Sequence, residues 1–218
     1  MRRVGHSQIA LAGILAVACS GCGLLAPVRV EPSSIFALEA TIANSAPKDA
    51  LGQPLVVAVP QARPAFDSAR MVYVSKTYEV RFFAKNQWVD TPARMLAPLL
   101  VQALGTSGRF QAVRSGAGVD AALRLETEIT ALQQEFTVVP SRVRFGLRAQ
   151  LVDLAEHRIV AVTDLESVEQ APSDDPYGGV VAANRALQRL LPELSSWCEQ
   201  SAPVARSASG AGDSRPAE

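Results

Sequence analysis

Three long segments in the second half of the chain alternate between apolar and polar residues. They span Leu123–Ala131, Val143–Leu151 and Arg158–Val168. Because successive side chains of a β-strand point to opposite faces of a sheet, this period of two predicts strands with one buried face. Strands of that kind are typical of antiparallel sheets. The short connection Asp153–Arg158 then predicts a tight hairpin between the second strand and the third.

The polar faces of the first two predicted strands carry opposite charges. The first presents Glu126 and Glu128, and the second presents Arg142, Arg144 and Arg148. Opposite charges on neighbouring strands attract, each pair being worth roughly 0.2–1 kcal/mol, so we expect these side chains to pair across the sheet. A solvated sheet face accounts for the arginine row, and a patch for lipid headgroups is the alternative.

Shorter apolar runs predict further strands in the first half of the chain. Leu55–Pro60 is apolar throughout, which suits a strand buried on both faces. Within Tyr78–Ala84, the adjacent Phe82 and Phe83 must point to opposite faces of a sheet. The remaining runs are Ile35–Ala40, Met71–Ser75 and Arg109–Val113.

A change from period two to spacings of three and four marks a first predicted helix. Thr91 is the expected N-cap, Pro92 occupies the first helical position and Gly105 ends the helix. Pro98 lacks the N–H that would bond to Arg94, so we expect a kink there or a helix that starts again at Pro98. The apolar stripe consists of Met95, Leu96, Leu99, Leu100, Ala103 and Leu104.

A second helix is predicted near the C-terminus, with Asp174 or Asp175 as its cap and Pro176 directly after. Its apolar stripe includes Cys198, which we interpret as a core thiol. Pro192 lies off the stripe, at a position where it can bend the helix. The stripe consists of Val180, Ala183, Leu187, Leu190, Leu191, Leu194, Trp197 and Cys198.

These patterns together predict an α/β fold. We expect a single domain over residues 35–200, with a mixed and largely antiparallel sheet and two main helices packed on it. A chain of 218 residues with 48% hydrophobic content is long and apolar enough for one such core. Residues 201–218 contain too few apolar side chains to fold, so we predict a disordered tail.

The N-terminus has the layout of a secretory signal peptide. Arg2 and Arg3 precede the uninterrupted small and apolar run Ile9–Ala18. A membrane-spanning helix requires roughly 20 apolar residues, so this run is too short for a stable span. We predict a signal peptide over residues 1–21 that is removed from the mature protein.

Two cysteines, Cys19 and Cys22, follow small residues at the end of this segment, as the acceptor cysteine does in a bacterial lipobox. We predict a lipid on Cys22, with Cys19 as the alternative, and a Pro-rich tether over residues 22–34. A metal or redox site is the weaker interpretation, because it requires a second ligand pair or a βαβ context. A disulfide from Cys22 to Cys198 stays open if Cys19 carries the lipid.

Composition and motif content argue against several classes of function. The 21 basic residues balance 21 acidic ones, which differs from the basic footprint of a nucleic-acid-binding protein. The chain has two histidines, His6 and His157, and it contains neither a phosphate-binding loop nor a G-x-S-x-G nucleophile elbow. We therefore predict a protein that is not an enzyme and needs no metal and no cofactor.

Two aromatic residues are candidates for contact with a partner. Trp88 lies between a predicted strand and the first helix, where a turn can point its side chain outward. The alternative is that its ring folds back over the edge of the sheet. Phe83 is the second candidate, because only one of two adjacent phenylalanines faces the core unless the sheet is covered on both sides.

The stretch Tyr78–Val113 resembles the ABC-type transport auxiliary lipoprotein family. The resemblance lies in an aromatic strand followed by Trp88, an acidic residue and a proline, then in a leucine-rich helix and the phrase "SGRFQAV". The downstream segments follow in the family's order. So do the lipobox, the tether and "IFALEA", in which Phe36 stands where the family usually has tyrosine.

The resemblance implies a domain similar to the N-terminal domain of TolB-like envelope proteins. It implies a non-catalytic lipoprotein at the periplasmic face of the outer membrane. There it would dock onto an MCE-domain protein of a lipid transport system, whose ABC permease and ATPase lie in the inner membrane. Family members are suspected of forming rings, so a homo-oligomer is also implied. A structural or assembly lipoprotein without a transport partner is the alternative.

Overall fold

A computed structural model describes residues 33–42, 52–106, 108–118 and 120–203. The predicted signal peptide, both early cysteines, most of the tether and most of the predicted tail lie outside these residues. Neither helix in the described part has the length and hydropathy needed to cross a bilayer.

The secondary-structure elements, in chain order, are β1 (Ser34–Phe36), β2 (Gln53–Val57), β3 (Gln61–Ala62), β4 (Arg70–Lys76), β5 (Glu79–Trp88), α1 (Pro92–Gly105), β6 (Phe110–Arg114), β7 (Leu123–Glu135), β8 (Arg142–Asp153), β9 (Arg158–Gln170) and α2 (Pro176–Ser201).

The long strand β7 organises one curled, mixed sheet. Along one edge it pairs antiparallel with β8, which in turn pairs antiparallel with β9. Its other edge takes three short parallel strands in succession: β2, then β3, then β4. Beyond them, β6 pairs parallel with β2, β5 pairs antiparallel with β4, and β1 pairs parallel with β5. The prediction of a mixed sheet whose longest ladders are antiparallel is therefore confirmed.

A shift in register changes which residues of β7 are buried. From Leu123 to Ile129, every second residue is buried against the core. The ladder with β8 is irregular between Ile129 and Ala131, as at a β-bulge. Beyond it Leu132 and Gln134 take the buried positions, and Ala131, predicted to share the buried face, is only partly covered.

Both predicted helices are present and neither is interrupted. α1 continues through Pro98, whose ring is exposed, so the predicted restart of the helix at Pro98 is wrong, while the kink stays a prediction. Likewise, α2 extends through Pro192. α2 packs against β8 and β9, and α1 packs against β6. The fully buried large side chains of the core include Leu96, Leu100, Leu125, Phe145, Leu147, Leu187 and Leu190.

The arginine row of β8 finds acidic partners, but they are not the predicted ones. Arg142 and Arg144 both pair with Glu135, at 2.8 and 2.7 Å, and Arg148 lies 4.0 Å from Asp164 on β9. The predicted pairing with Glu126 and Glu128 is wrong, because the acidic side chains of β9 flank β8 on its other side and the shift in β7 brings Glu135 to the polar face. Those two glutamates instead lie 3.7 Å from Arg124 and 4.0 Å from Arg63, respectively.

Candidate interaction surface

Trp88 does not point outward. It is the last residue of β5, a longer strand than the sequence predicts, and its side chain is 4% exposed. Its backbone N–H donates to the carbonyl of Ala69 at 2.8 Å, and β1 pairs alongside through Phe36. The prediction that Trp88 lies in an outward-pointing turn is therefore wrong, because both neighbouring strands extend the sheet to this position. The alternative, in which the ring folds back onto the sheet, agrees with the burial of the Trp88 side chain.

Phe83 belongs to a cluster of three aromatic rings. Its ring centroid lies 4.6 Å from that of Tyr73 on β4 and 6.3 Å from that of Phe136, directly after β7. Tyr73 and Phe136 meet edge to face at 6.0 Å, a favoured aromatic geometry. Phe83 is half-buried, so part of its ring stays at the surface. Its role as a partner contact stays a prediction.

Phe82 points away from this cluster, as adjacent strand residues must. The guanidinium carbon of Arg70 lies 3.5 Å from the centroid of the Phe82 ring. A cation over an aromatic face is worth about 0.5–1 kcal/mol at an exposed site. The two phenylalanines thus stabilise opposite faces of the β4–β5 hairpin.

The turn of that hairpin places a tyrosine fully in solvent. Tyr78 follows β4 by two residues, it is completely exposed, and its φ angle is 69°. A left-handed conformation costs an L-residue roughly 1 kcal/mol, which is why glycine and asparagine are preferred there. No ring contact among the described residues accounts for a tyrosine at this position.

The loop between β7 and β8 leaves the same end of the sheet. The N–H of Phe136 donates to the carbonyl of Val74 at 2.8 Å, so β4 and β7 finish side by side. Beyond this bond the loop exposes Val138 and Val139, and Val139 is 88% exposed. Two apolar loop residues thus lie at the end of the sheet that carries Tyr78.

The first turn of α2 lies behind this surface and does not form part of it. Gln134 at the end of β7 donates its side-chain amide to the carbonyl of Asp175 at 3.1 Å. Tyr177 is exposed, but its ring centroid lies 6.2 Å from that of Phe36, which pairs with Trp88 at the far end of β5 from Tyr78. We call the surface formed by Tyr73, Tyr78, Val138 and Val139 the tyrosine end.

A buried carboxylate ties the strands together just behind the tyrosine end. Glu135 is only 7% exposed. Burial alone would raise the pKa of its carboxyl group, but hydrogen bonds from Arg144 and Arg142 outweigh burial and lower the pKa from 4.5 to about 2. Arg144 also pairs with Glu166 on β9. These charges join β7, β8 and β9, so they belong to the scaffold.

Within the described residues, the thiol of Cys198 and the imidazole of His157 are the side chains most often used as nucleophile or base, and they lie in separate parts of the fold. Cys198 is fully buried, and burial raises the pKa of its thiol to about 12, so it is protonated and inaccessible at neutral pH. His157 lies in the turn between β8 and β9 with a φ angle of 51°. No group of three or more His, Cys, Asp or Glu side chains in the described ranges is arranged to hold a metal.

Sequence analysis singled out Phe83 but none of the residues that the tyrosine end exposes. Tyr78 and Val139 are far apart along the chain, and no spacing rule connects them. A partial signal existed in "SKTYEV", where a tyrosine stands in a two-residue turn that favours glycine or asparagine. The lipidation candidates Cys22 and Cys19 lie outside the described residues.

Comparison with known proteins identifies relatives. A family model described as the ABC-type transport auxiliary lipoprotein component matches residues 36–195. A crystal structure of a Xanthomonas campestris protein, assigned to family DUF330, is 21% identical with a TM-score of 0.68 and covers 77% of this chain and 96% of that one. A second crystal structure, of an uncharacterised protein, is 12% identical with a TM-score of 0.62 and covers 77% and 99%. No curated protein matches.

At these identities the two crystal structures show a shared fold. Their coverage extends over nearly all of the domain from β1 to α2. They confirm the predicted α/β architecture with a mixed sheet and two helices. The predicted similarity to the N-terminal domain of TolB-like proteins is not confirmed and stays a prediction.

Proposed function

Since this chain belongs to the family of ABC-type transport auxiliary lipoprotein components, we propose that it is a non-catalytic, lipid-anchored accessory component of an ABC transport system in the cell envelope. The observation that carries the proposal is the family match, which spans residues 36–195 and so includes almost every described element. The buried thiol of Cys198 agrees with a role in which this domain binds and does not catalyse.

The anchor in this proposal is a lipid on Cys22, with Cys19 as the alternative. A thiolate is the nucleophile that accepts the diacylglyceryl group, and the small residues before each cysteine let a peptidase approach the backbone. A single acyl chain holds a protein only marginally, whereas two or more hold it firmly. Mass spectrometry of the mature N-terminal peptide decides between the two cysteines.

The finer proposal is a place at the periplasmic face of the outer membrane, docked onto an MCE-domain protein of a lipid transport system. It rests on the family resemblance and on the residue after each candidate cysteine. Gly23 follows Cys22 and Ser20 follows Cys19, and neither is the aspartate that resembles an inner-membrane retention signal. The permease and ATPase would then supply the energy of transport.

Co-purification tests the assignment. The affinity-tagged lipidated protein is solubilised with a mild detergent, and its partners are identified by mass spectrometry. We expect an ABC permease or ATPase and an MCE-domain protein, enriched over a control in which Cys19→Ser and Cys22→Ser remove the anchor. Recovery of none of these proteins, or of outer-membrane assembly factors in their place, would favour a structural lipoprotein and overturn the proposal.

A further inference from the structure

We propose that the tyrosine end rests on the lipid bilayer to which the chain is anchored, with Tyr78 and Val139 at the level of the lipid headgroups. The inference rests on the lipid anchor proposed above and adds an orientation of the domain and a second, non-covalent membrane contact. Three independent features of the described residues support it.

The first feature is the direction in which the chain enters the domain. β1 runs parallel to β5, with Ser34 paired to Asn86 and Phe36 paired to Trp88. β5 itself starts at the hairpin turn that carries Tyr78. Because parallel strands share a direction, the chain arrives at Ser34 from the side of the tyrosine end.

The length of the tether is consistent with this direction. Ten residues lie between Cys22 and Ser33, and an extended chain of that length reaches about 35 Å. From Asn86 back to Glu79 the strand covers about 23 Å, at roughly 3.3 Å per residue. A tether from Cys22 is therefore long enough to reach past Tyr78 to a bilayer without doubling back along the sheet.

The second feature is the chemistry of the exposed side chains. Tyrosine is enriched where membranes meet water, because its ring is apolar and its hydroxyl group is polar. Val138 and Val139 add exposed apolar surface at the same end of the sheet. Lys76 is exposed two residues before Tyr78, and a lysine at an anionic membrane surface contributes about 1 kcal/mol.

The third feature is the contrast with the opposite end of the long strands. There the turn between β8 and β9 is closed by Asp153, whose Oδ1 accepts from the N–H groups of Ala155 and Glu156, both at 3.0 Å. Residues 155–159 of this end are all exposed, and Glu156 pairs there with Arg158 at 2.7 Å. The segment contains no tyrosine or tryptophan, and its one large exposed apolar side chain, Ile159, is 54% exposed against 88% for Val139. The tyrosine end is therefore better suited to a bilayer.

Site-specific fluorescence tests the orientation. The lipidated full-length protein is reconstituted into vesicles of phosphatidylethanolamine and phosphatidylglycerol, with an environment-sensitive thiol probe on Thr77→Cys beside Tyr78. Ala155→Cys at the opposite end is the matched control, and the parent protein, labelled in parallel, supplies the background of the native cysteines. We expect a blue shift and quenching by brominated lipids at position 77 but not at position 155.

A second variant assigns the contact to the exposed side chains. Tyr78→Ser combined with Val139→Ser should reduce the quenching at position 77 several-fold, while sedimentation with vesicles and the circular dichroism spectrum stay unchanged. Equal quenching at positions 77 and 155 overturns the inference. So does protection of position 77 that appears only when other envelope proteins are added, since the tyrosine end would then be a protein-binding surface.

Failure of the anchor is distinguishable from failure of the orientation. Replacing both early cysteines by serine should abolish sedimentation with vesicles. If the parent protein, which keeps both cysteines, does not sediment with vesicles either, the proposed anchor is wrong. If it sediments but position 77 is not quenched, the anchor stands and only the membrane contact of the tyrosine end is refuted.

Discussion

Gln134 of β7 and Gly179 of α2 are in direct contact, because a Cβ added to Gly179 would collide with Oε1 of Gln134. The amide nitrogen of Gln134 donates to Oγ of Ser141 at 3.0 Å and to the carbonyl of Asp175 at 3.1 Å. A side chain held at both places cannot move aside freely. This contact sets how closely α2 approaches the sheet behind the tyrosine end.

Gly179→Ala should therefore destabilise the protein by about 1–3 kcal/mol, the usual cost of overpacking. Gly105→Ala is the matched helical control: nothing lies within 4 Å of its added Cβ, so stability should be unchanged or slightly raised. Urea denaturation measures both values. Adding Gln134→Ala to Gly179→Ala should cost less than the sum of the single changes. Strict additivity would argue against the contact.

Glu135 gives the stability of the sheet a dependence on acid. Its folded-state pKa of about 2 lies below its ordinary value of 4.5. The ionised carboxylate therefore stabilises the fold above pH 4.5, and this contribution is lost as the pH falls toward 2. Glu135→Gln should cost about 3 kcal/mol at pH 7, since it leaves the positive charges of Arg142 and Arg144 without their counter-charge. The difference from the parent should shrink as the pH approaches 2.

An exposed ion pair provides the control for this measurement. Glu79 and Arg81 lie 2.6 Å apart on β5 but are substantially exposed. Solvent screening leaves such pairs with little effect on stability. Glu79→Gln should thus change the free energy of unfolding little, both at pH 7 and as the pH approaches 2. If Glu135→Gln behaves like Glu79→Gln, the buried network does not stabilise the sheet.

Trp88 and Tyr78 should respond oppositely to truncation, although both are large aromatic residues of β5 or its turn. Trp88→Ala removes a buried ring and should cost about 3–5 kcal/mol. Tyr78→Gly removes an exposed ring and relieves a left-handed backbone, so stability should be unchanged or slightly raised. Thermal unfolding monitored by circular dichroism compares the two variants. A large loss for Tyr78→Gly would show that the ring has a structural role.

The two helix N-termini should differ in their sensitivity to loss of the capping side chain. Oδ1 of Asp175 accepts from the N–H of Gly178 at 2.7 Å, so Asp175→Ala should cost about 1 kcal/mol. Thr91 occupies the N-cap position of α1 without a capping hydrogen bond from its side chain. Thr91→Ala should then cost only a few tenths of a kcal/mol, since it removes no such bond. Equal losses in denaturation experiments would contradict this difference.

The elements that local spacing can specify were predictable. The alternation from Leu123 onward predicted β7, β8 and β9, and the stripes with their starting prolines predicted both helices. Burial of Cys198 followed from its place on the last stripe. The family was also recognisable, because it depends on the order of such segments along the chain.

Strand pairing required the tertiary structure. Three short strands share one edge of β7, and β5 extends as far as Trp88 beside β1. Neither arrangement produces a pattern in consecutive residues of the sequence, since each depends on which strand, distant along the chain, supplies the backbone hydrogen bonds. The sequence therefore left Trp88 open between an outward-pointing turn and a ring folded back over the sheet edge, and it assigned the arginine row to the wrong glutamates.

The sequence by itself determined an α/β domain behind a predicted lipid anchor, because periodicity, helix starts and a signal peptide are all written in consecutive residues. Only the tertiary structure gathered Tyr73 and Tyr78 with Val138 and Val139 at one end of the sheet. These residues meet because parallel β4 and β7 finish together. That relationship joins residues about sixty positions apart, which no local pattern encodes.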